Sequence, residues 1–136
     1  MIYLLDSNAW ILYMRQSDPQ LVRKVQSRPR GDIGLCSVVL GELYYGAFHS
    51  PPAQQAHHLN LVVQLRNLFP SAPFDDASAE IYGRIRADLA AKGMLIGPND
   101  LMIAAIALTH GLIVVTHNIA EFSRVAGLTV EDWQTP

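Results

Sequence analysis

Cysteine, charge and long apolar runs are all scarce in this sequence. Cys36 is the single cysteine among 136 residues, so there is no internal disulfide and no cysteine metal cluster. That usage fits a reducing compartment. Only 16% of residues are charged and the formal net charge is −2. This argues against a strongly basic nucleic-acid-coating protein, whose affinity would rest on many Lys and Arg side chains. It leaves room for a nuclease with a small basic rim and an acidic centre. No uninterrupted apolar run approaches ~18 residues. The N-terminus has no positively charged segment followed by a long apolar stretch. The expectation is a soluble cytoplasmic protein with no membrane partner. The histidines lack the paired spacing of a zinc site, and no repeat, linker or low-complexity stretch interrupts the chain.

Half of the residues are apolar, enough for one domain, residues 1–136, with a proper core. Residues 1–10, MIYLLDSNAW, set its pattern. Ile2-Tyr3-Leu4-Leu5 is a short run of strand formers, stopped by Asp6-Ser7-Asn8. Ala9, Trp10, Leu12 and Tyr13 follow at helical spacing. Ser7 or Asn8 caps that helix by residue type. Ser17-Asp18-Pro19 starts a second helix with Leu21, Val22 and Val25 inward. Ile33 to Cys36 is a second buried strand, and Ser37 caps the helix that carries Val38 to Ala47. Pro51-Pro52 break it, and a long helix runs from about Ala53 to Leu68, with Leu59, Val62, Val63 and Leu65 inward. Pro70 to Phe74 offers a very short strand. Asp75 or Asp76 opens a helix with Ala79, Ile81, Tyr82, Ile85, Leu89 and Ala90 at periodic positions, stopped by Gly93. Gly97-Pro98-Asn99-Asp100 turns into a markedly apolar helix ending at Gly111. Leu112 to Val115 is the clearest buried strand, terminated by Thr116-His117-Asn118. A short helix through Glu121 and Phe122 follows, then a last strand at Leu128 to Val130. Short apolar strands alternating with helices predict a parallel α/β sheet covered on both faces. Right-handed connections then gather the strand ends at one edge, where ligands bind in open α/β sheets.

Polar residues with chemistry fall at that edge. Asp6 ends the first strand. Asn118 ends the strongest later one, with Glu121 a helical turn beyond. Asp100 opens the apolar helix. Glu42 sits within Val-Val-Leu-Gly-Glu-Leu-Tyr-Tyr, where a carboxylate is costly to bury unless paired or metal-bound. Three carboxylates close together raise one another's pKa. A hard divalent cation such as Mg²⁺ or Mn²⁺, which prefers oxygen ligands, resolves the conflict. Each position also has a plainer reading. Asp6 and Asp100 are plausible helix caps, Glu42 a solvated residue on the polar side of its helix, and Asn118 a turn residue.

In order and spacing, five segments resemble the PIN-domain ribonucleases, and specifically toxins of the VapC type: LLDSNAWI at 4–11, SVVLGELYYGA at 37–47, IRADLAAKG at 85–93, GPNDLMIAAIAL at 97–108 and LIVVTHNIAEFSRVAGLTVEDW at 112–133. The resemblance spans nearly the whole chain. It implies a PIN-like three-layer α/β/α sandwich around a short, mainly parallel sheet. It makes Asp6, Glu42 and Asp100 the catalytic, metal-binding carboxylates. Asn118 stands where many such domains have a fourth acidic residue; its role is open, and Glu121 is a further contributor. Ser7 replaces the usual Thr and keeps the hydroxyl, for a hydrogen bond to Asp6 or to a metal-bound water. Asn8 is placed to orient a neighbouring carboxylate.

The implied activity is Mg²⁺-dependent endoribonuclease hydrolysis, with Mn²⁺ as substitute. Water attacks phosphorus in line and the 3′ oxygen leaves, giving 5′-phosphate and 3′-hydroxyl ends. The implied substrate is structured RNA, tRNA foremost. The implied partners are a cognate antitoxin laid across the acidic site and a second copy in a homodimer. Tyr44, Tyr45, Phe48, Leu59, Val62 and Val63 suit either a dimer face or plain core. Two other readings compete. One is a non-catalytic PIN-like module whose acidic pocket binds a partner's basic segment. The other is a phosphatase or DNA nuclease, weakened for the phosphatase by Asn8, which breaks an Asp-x-Asp loop.

Overall fold

The computed structural model describes residues 1–136. In chain order the elements are β1 (Tyr3–Leu5), α1 (Ser7–Arg15), α2 (Pro19–Gln26), a 3₁₀ turn (Arg30–Asp32), β2 (Ile33–Cys36), α3 (Ser37–Phe48), α4 (Pro52–Leu68), β3 (Ser71–Ala72), α5 (Asp76–Ala91), α6 (Pro98–His110), β4 (Ile113–Val115), α7 (Ile119–Phe122) and β5 (Thr129–Glu131). The alternation therefore yields the expected α/β fold. The strands form one sheet in the order β3-β2-β1-β4-β5. Every pairing is parallel, so the sheet is wholly parallel rather than mainly so. All four residues of β2 are buried. Both faces of the central strands are thus covered by helices, as a parallel sheet requires.

The core follows from the apolar runs. Leu4 and Leu5 of β1, Ile33 and Leu35 of β2, Val114 and Val115 of β4, and Ile103 to Ala107 of α6 are buried together with Trp10, Phe122 and Trp133. Small residues on α6, notably Ala104, Ala105 and Ala107, are fully buried, which lets that helix lie close to its neighbours. Gly111 ends α6 in the left-handed conformation at φ 64°, where a glycine has no Cβ penalty.

Several local expectations shift. Asp6, not Ser7 or Asn8, caps α1: its side chain accepts from the Ala9 N–H. Ser37 is the first residue inside α3, and Cys36 is the residue before it, with no side-chain cap. Asp18 and Asp75 cap α2 and α5 as their types suggest. The last strand begins one residue later than its apolar pattern, at Thr129. Val63, Ala79 and Ala90 are exposed rather than inward. Helices α4 and α5 are longer than the sheet they flank, and periodicity alone does not say which part of an apolar stripe is covered.

Truncation should separate the two kinds of apolar position. Ile106→Ala, at a fully buried site, is expected to lower stability by about 2–5 kcal/mol. Val63→Ala should change it by less than about 0.5 kcal/mol. Urea midpoints at unchanged slope measure both; equal losses would place Val63 in a covered interface.

Candidate active site

Strand order reverses between β1 and β4, because β2 and β3 extend the sheet to one side of β1 while β4 and β5 extend it to the other. The carboxyl ends of strands at such a reversal open a crevice. The register decides what lines it. Leu5 pairs with Val115 and Val115 with Glu131. One step beyond these pairs stand Asp6, Thr116 and Asp132, side by side on three successive strand ends. The Asp6 N–H still donates to Val115 O at 3.1 Å, and the Thr116 N–H to Glu131 O at 2.9 Å.

Asp6 is 7% exposed and held at both oxygens. Oδ1 accepts from the Ala9 N–H at 2.9 Å, and Oδ2 accepts from the Thr116 hydroxyl at 2.5 Å. Thr116 in turn accepts from the Asn118 N–H at 2.9 Å. Glu42 reaches the crevice from α3, and its Oε1 accepts from the Ser7 hydroxyl at 2.8 Å. The serine therefore steadies Glu42 rather than Asp6. Asp100 sits in the first turn of α6, and Glu121 of α7 faces it. The Asn118 side-chain amide donates to Glu121 Oε2 at 2.7 Å. Asn118 is thus the clamp on Glu121 as well as the residue that opens α7. Asn8 is exposed and lines an open cavity beside Ser7 and Glu42, its side chain hydrogen-bonded to no carboxylate.

The electrostatics identify the group as one centre. Burial pushes Asp6 above the usual carboxylate range, and the charges of Glu42 and Asp132 add to the rise. Burial, a hydrogen bond shared with Glu121, and the charges of Glu121, Asp6 and Glu42 push Asp100 up to about 7. Asp100 therefore feels Asp6, Glu42 and Glu121, and Asp6 feels Glu42. No Lys or Arg answers them. The ion pairs of the fold are Arg84–Glu80, Lys92–Asp88 and His117–Asp132, none of which includes these four. The donor set is all oxygen, anionic and short of a counter-charge, which suits a hard divalent cation. No three of these groups close to chelating distance around one point. Glu42 and Glu121 are only partly buried.

Asp6, Glu42 and Asp100 lie near enough to interact electrostatically, and Glu121 stands beside Asp100. The plain capping role of Asp6 also holds: one carboxylate does both jobs. Thr116 and Asp132 were not singled out beforehand. The signal was present for Thr116, a polar residue directly after the most apolar strand, but only the strand order places it beside Asp6.

Comparison with known proteins identifies the family. The PIN domain model matches residues 3–128. The chain is 38% identical over 131 residues to a tRNA(fMet)-specific endonuclease VapC of Shigella flexneri, covering 96% of this chain and 97% of that protein. It is 32% identical over 131 residues to ribonuclease VapC2 of Haemophilus influenzae, with the same coverage. The chain belongs to the VapC family of PIN-domain ribonucleases. Its fold agrees with the toxin of a DNA-bound VapBC complex from Salmonella typhimurium at a TM-score of 0.90, 33% identity and 98% coverage of each chain. No helix of this VapC-family chain is long and apolar enough to cross a membrane.

The raised carboxyls carry a pH signature. Asp6 and Asp100 bind protons more tightly folded than unfolded, so the folded state holds more protons between about pH 4 and 7. Stability of the metal-free protein therefore falls as pH rises through that window. Thermal unfolding in EDTA should show a higher Tm at pH 5.5 than at pH 8, and Asp100→Asn should flatten the difference. A Tm that rises with pH in the wild type would contradict the crowding.

Proposed function

We infer that this crevice is a divalent-metal-dependent ribonuclease site and that its substrate is tRNA or another structured RNA. The observation that carries the reading is the group Asp6, Glu42, Asp100 and Glu121 at the strand-order reversal, mutually repelling and without a protein cation. The activities for which its relatives are named, ribonuclease and tRNA(fMet)-specific endonuclease, supply the substrate class. Asp6, Glu42 and Asp100 are the residues that would hold Mg²⁺ or Mn²⁺, with Glu121 beside them. Bound there, the ion supplies an activated water and neutralises charge on the scissile phosphate.

The chain's own part is positioning. The Thr116 hydroxyl and the Ala9 N–H fix Asp6 against rotation. Ser7 fixes Glu42, and Asn118 fixes Glu121. Each donor also offsets part of the anionic charge, so the cluster survives without a cation. The reaction class is phosphodiester hydrolysis that leaves 5′-phosphate and 3′-hydroxyl ends. No 2′-hydroxyl is required as nucleophile, and no histidine is required as base.

The partner is read as an antitoxin, as in the VapBC complexes of the related structures. A groove of about 610 Å³ between α1, α3 and α4 suits it. Ile11, Met14, Leu43 and Leu61 give it an apolar floor, and Glu42 stands at its margin. An amphipathic segment lying there, with a basic residue over Glu42, would cover the acidic centre. A homodimer completes the proposed assembly.

Cleavage of total tRNA by the purified chain, with Mg²⁺, Mn²⁺ or EDTA, tests the reading. Discrete fragments are expected with metal and none with EDTA. Asp6→Asn and Asp100→Asn should each lower the rate at least about a hundredfold while leaving the far-UV CD spectrum unchanged. Either variant cutting at wild-type rate removes that residue from the site. A folded, antitoxin-free wild type that cuts nothing would favour the binding module instead.

Asn118→Asp gives a separate check. It replaces the Glu121 donor by a further negative charge and should tighten Mn²⁺ binding at pH 8 by calorimetry. Unchanged or weaker binding would leave Asn118 as a clamp alone.

A further inference from the structure

Helix α3 carries two exposed aromatic pairs that the metal site does not use. Tyr44 stacks on Phe48 with ring centroids 6.3 Å apart, on the side where the Tyr44 hydroxyl accepts from Arg66 of α4. Tyr45 stacks on His49 at 5.4 Å with the ring planes only 11° apart. The second pair lies on a different side of the helix, and its place matters. Residues 42, 45 and 49 are spaced three and four apart, so Glu42, Tyr45 and His49 form one stripe along α3. At 1.5 Å rise per residue, Tyr45 lies about 4.5 Å along the axis from Glu42 and His49 about 10 Å. That is the span of one to three nucleotides leading away from the acidic centre.

Tyr45 is 68% exposed. It lines an open cavity of about 600 Å³ that also includes Ser7, Asn8, Glu42 and Asn99. This cavity reaches the acidic centre at Glu42, which accepts a hydrogen bond from Ser7 on the same wall. Its wall contains no Lys or Arg. A polyanion lying in it cannot be held by ion pairs to the wall. It can be held by stacking, which every base offers through its π-face, and by amide groups on base edges. Both are at hand: the near-parallel rings of Tyr45 and His49, and the side-chain amides of Asn8 and Asn99 on the cavity wall. Neither amide has a side-chain partner within the fold, so both remain available.

We propose that Tyr45, backed by His49, is a nucleobase-stacking platform that seats an unpaired base next to the scissile phosphate, so that the site selects single-stranded loops of its RNA. This rests on the ribonuclease reading above. This cavity meets the groove between α1, α3 and α4 assigned to the antitoxin at Ile11 and Glu42, and differs from it in presenting Tyr45, Asn8 and Asn99. His49 sets the pitch of the Tyr45 ring and extends the stacking surface by one further position.

The test uses the full chain with Mn²⁺ and a short stem–loop RNA cut by the wild type. Tyr45→Ala is expected to raise KM about tenfold, within the range for loss of one base stack, with kcat within about twofold. Tyr45→Phe should recover the wild-type KM, because stacking needs the ring and not the hydroxyl. A matched RNA with an abasic nucleotide beside the cleavage site should raise KM for the wild type but not for Tyr45→Ala. An abasic penalty of equal size in both proteins would overturn the platform. So would an unchanged KM in Tyr45→Ala, or a loss traced by sedimentation to a change in oligomeric state or by calorimetry to antitoxin binding alone. A wild type that cuts no RNA at all would fail the ribonuclease reading, and that result is distinct from each of these.

Discussion

The hydrogen bond from Thr116 to Asp6 joins the two strands between which the sheet changes direction. It is short, fully buried on the threonine side, and continuous with the β1–β4 ladder through the Asp6 N–H and Val115 O. The rest of the site hangs from it. Thr116 orders Asn118 through its own oxygen, Asn118 clamps Glu121, and Glu121 shares a hydrogen bond with Asp100. On the other side, Asp6 starts α1, which presents Ser7 to Glu42. A chain of single contacts thus spans β1, α1, α3, β4, α7 and α6. The parallel sheet supplies the geometry at no extra cost, because all its strands end at the same edge.

That geometry conflicts with stability. Four carboxylates at one edge repel, and burial disfavours the charge on Asp6 and Asp100. A buried charge must be paired or neutralised. The fold instead offers hydroxyl and amide donors, which lessen the penalty without cancelling the charge. The centre is therefore stable enough to form and charged enough to take a cation. A lysine in the crevice would relieve the repulsion and remove the reason for a metal to bind. The absence of a cation among the partners of these residues is as much a part of the site as the carboxylates.

The sequence exposed the elements better than their arrangement. β2 at Ile33–Cys36 and the stop at Gly111 follow from local chemistry: a short apolar run between turn residues, and a glycine free to adopt positive φ. The carboxylates were legible because acidic residues at strand ends and in an apolar helix contradict simple burial. Thr116 and Asp132 were not, since a threonine or an aspartate after a strand is ordinary until strand order sets it beside Asp6. Register is a long-range property, and a pattern within one strand does not contain it. The caps of α1 and α3 failed for a related reason. Three cap-type residues in a row, Asp6-Ser7-Asn8, leave the choice to tertiary contacts, and the hydroxyl of Ser7 is claimed by Glu42.

An RNA approaching this protein meets a net charge of −2 and a centre of like sign. Several basic residues already have partners within the fold. Arg28 lies over the rings of Tyr3 and Trp133, Arg84 and Lys92 pair along α5, and Arg124 donates to Leu95 O. Counterion release, which gives basic proteins strong and indiscriminate affinity, has little to act on here. Affinity must then come from short-range contacts: the metal on the phosphate, and neutral groups on bases and sugars. Such contacts fail when the geometry is wrong, whereas a diffuse basic field does not. On the proposed ribonuclease reading, a weakly charged nuclease would bind most RNA poorly and cut what fits, which makes the scarcity of cations a source of selectivity.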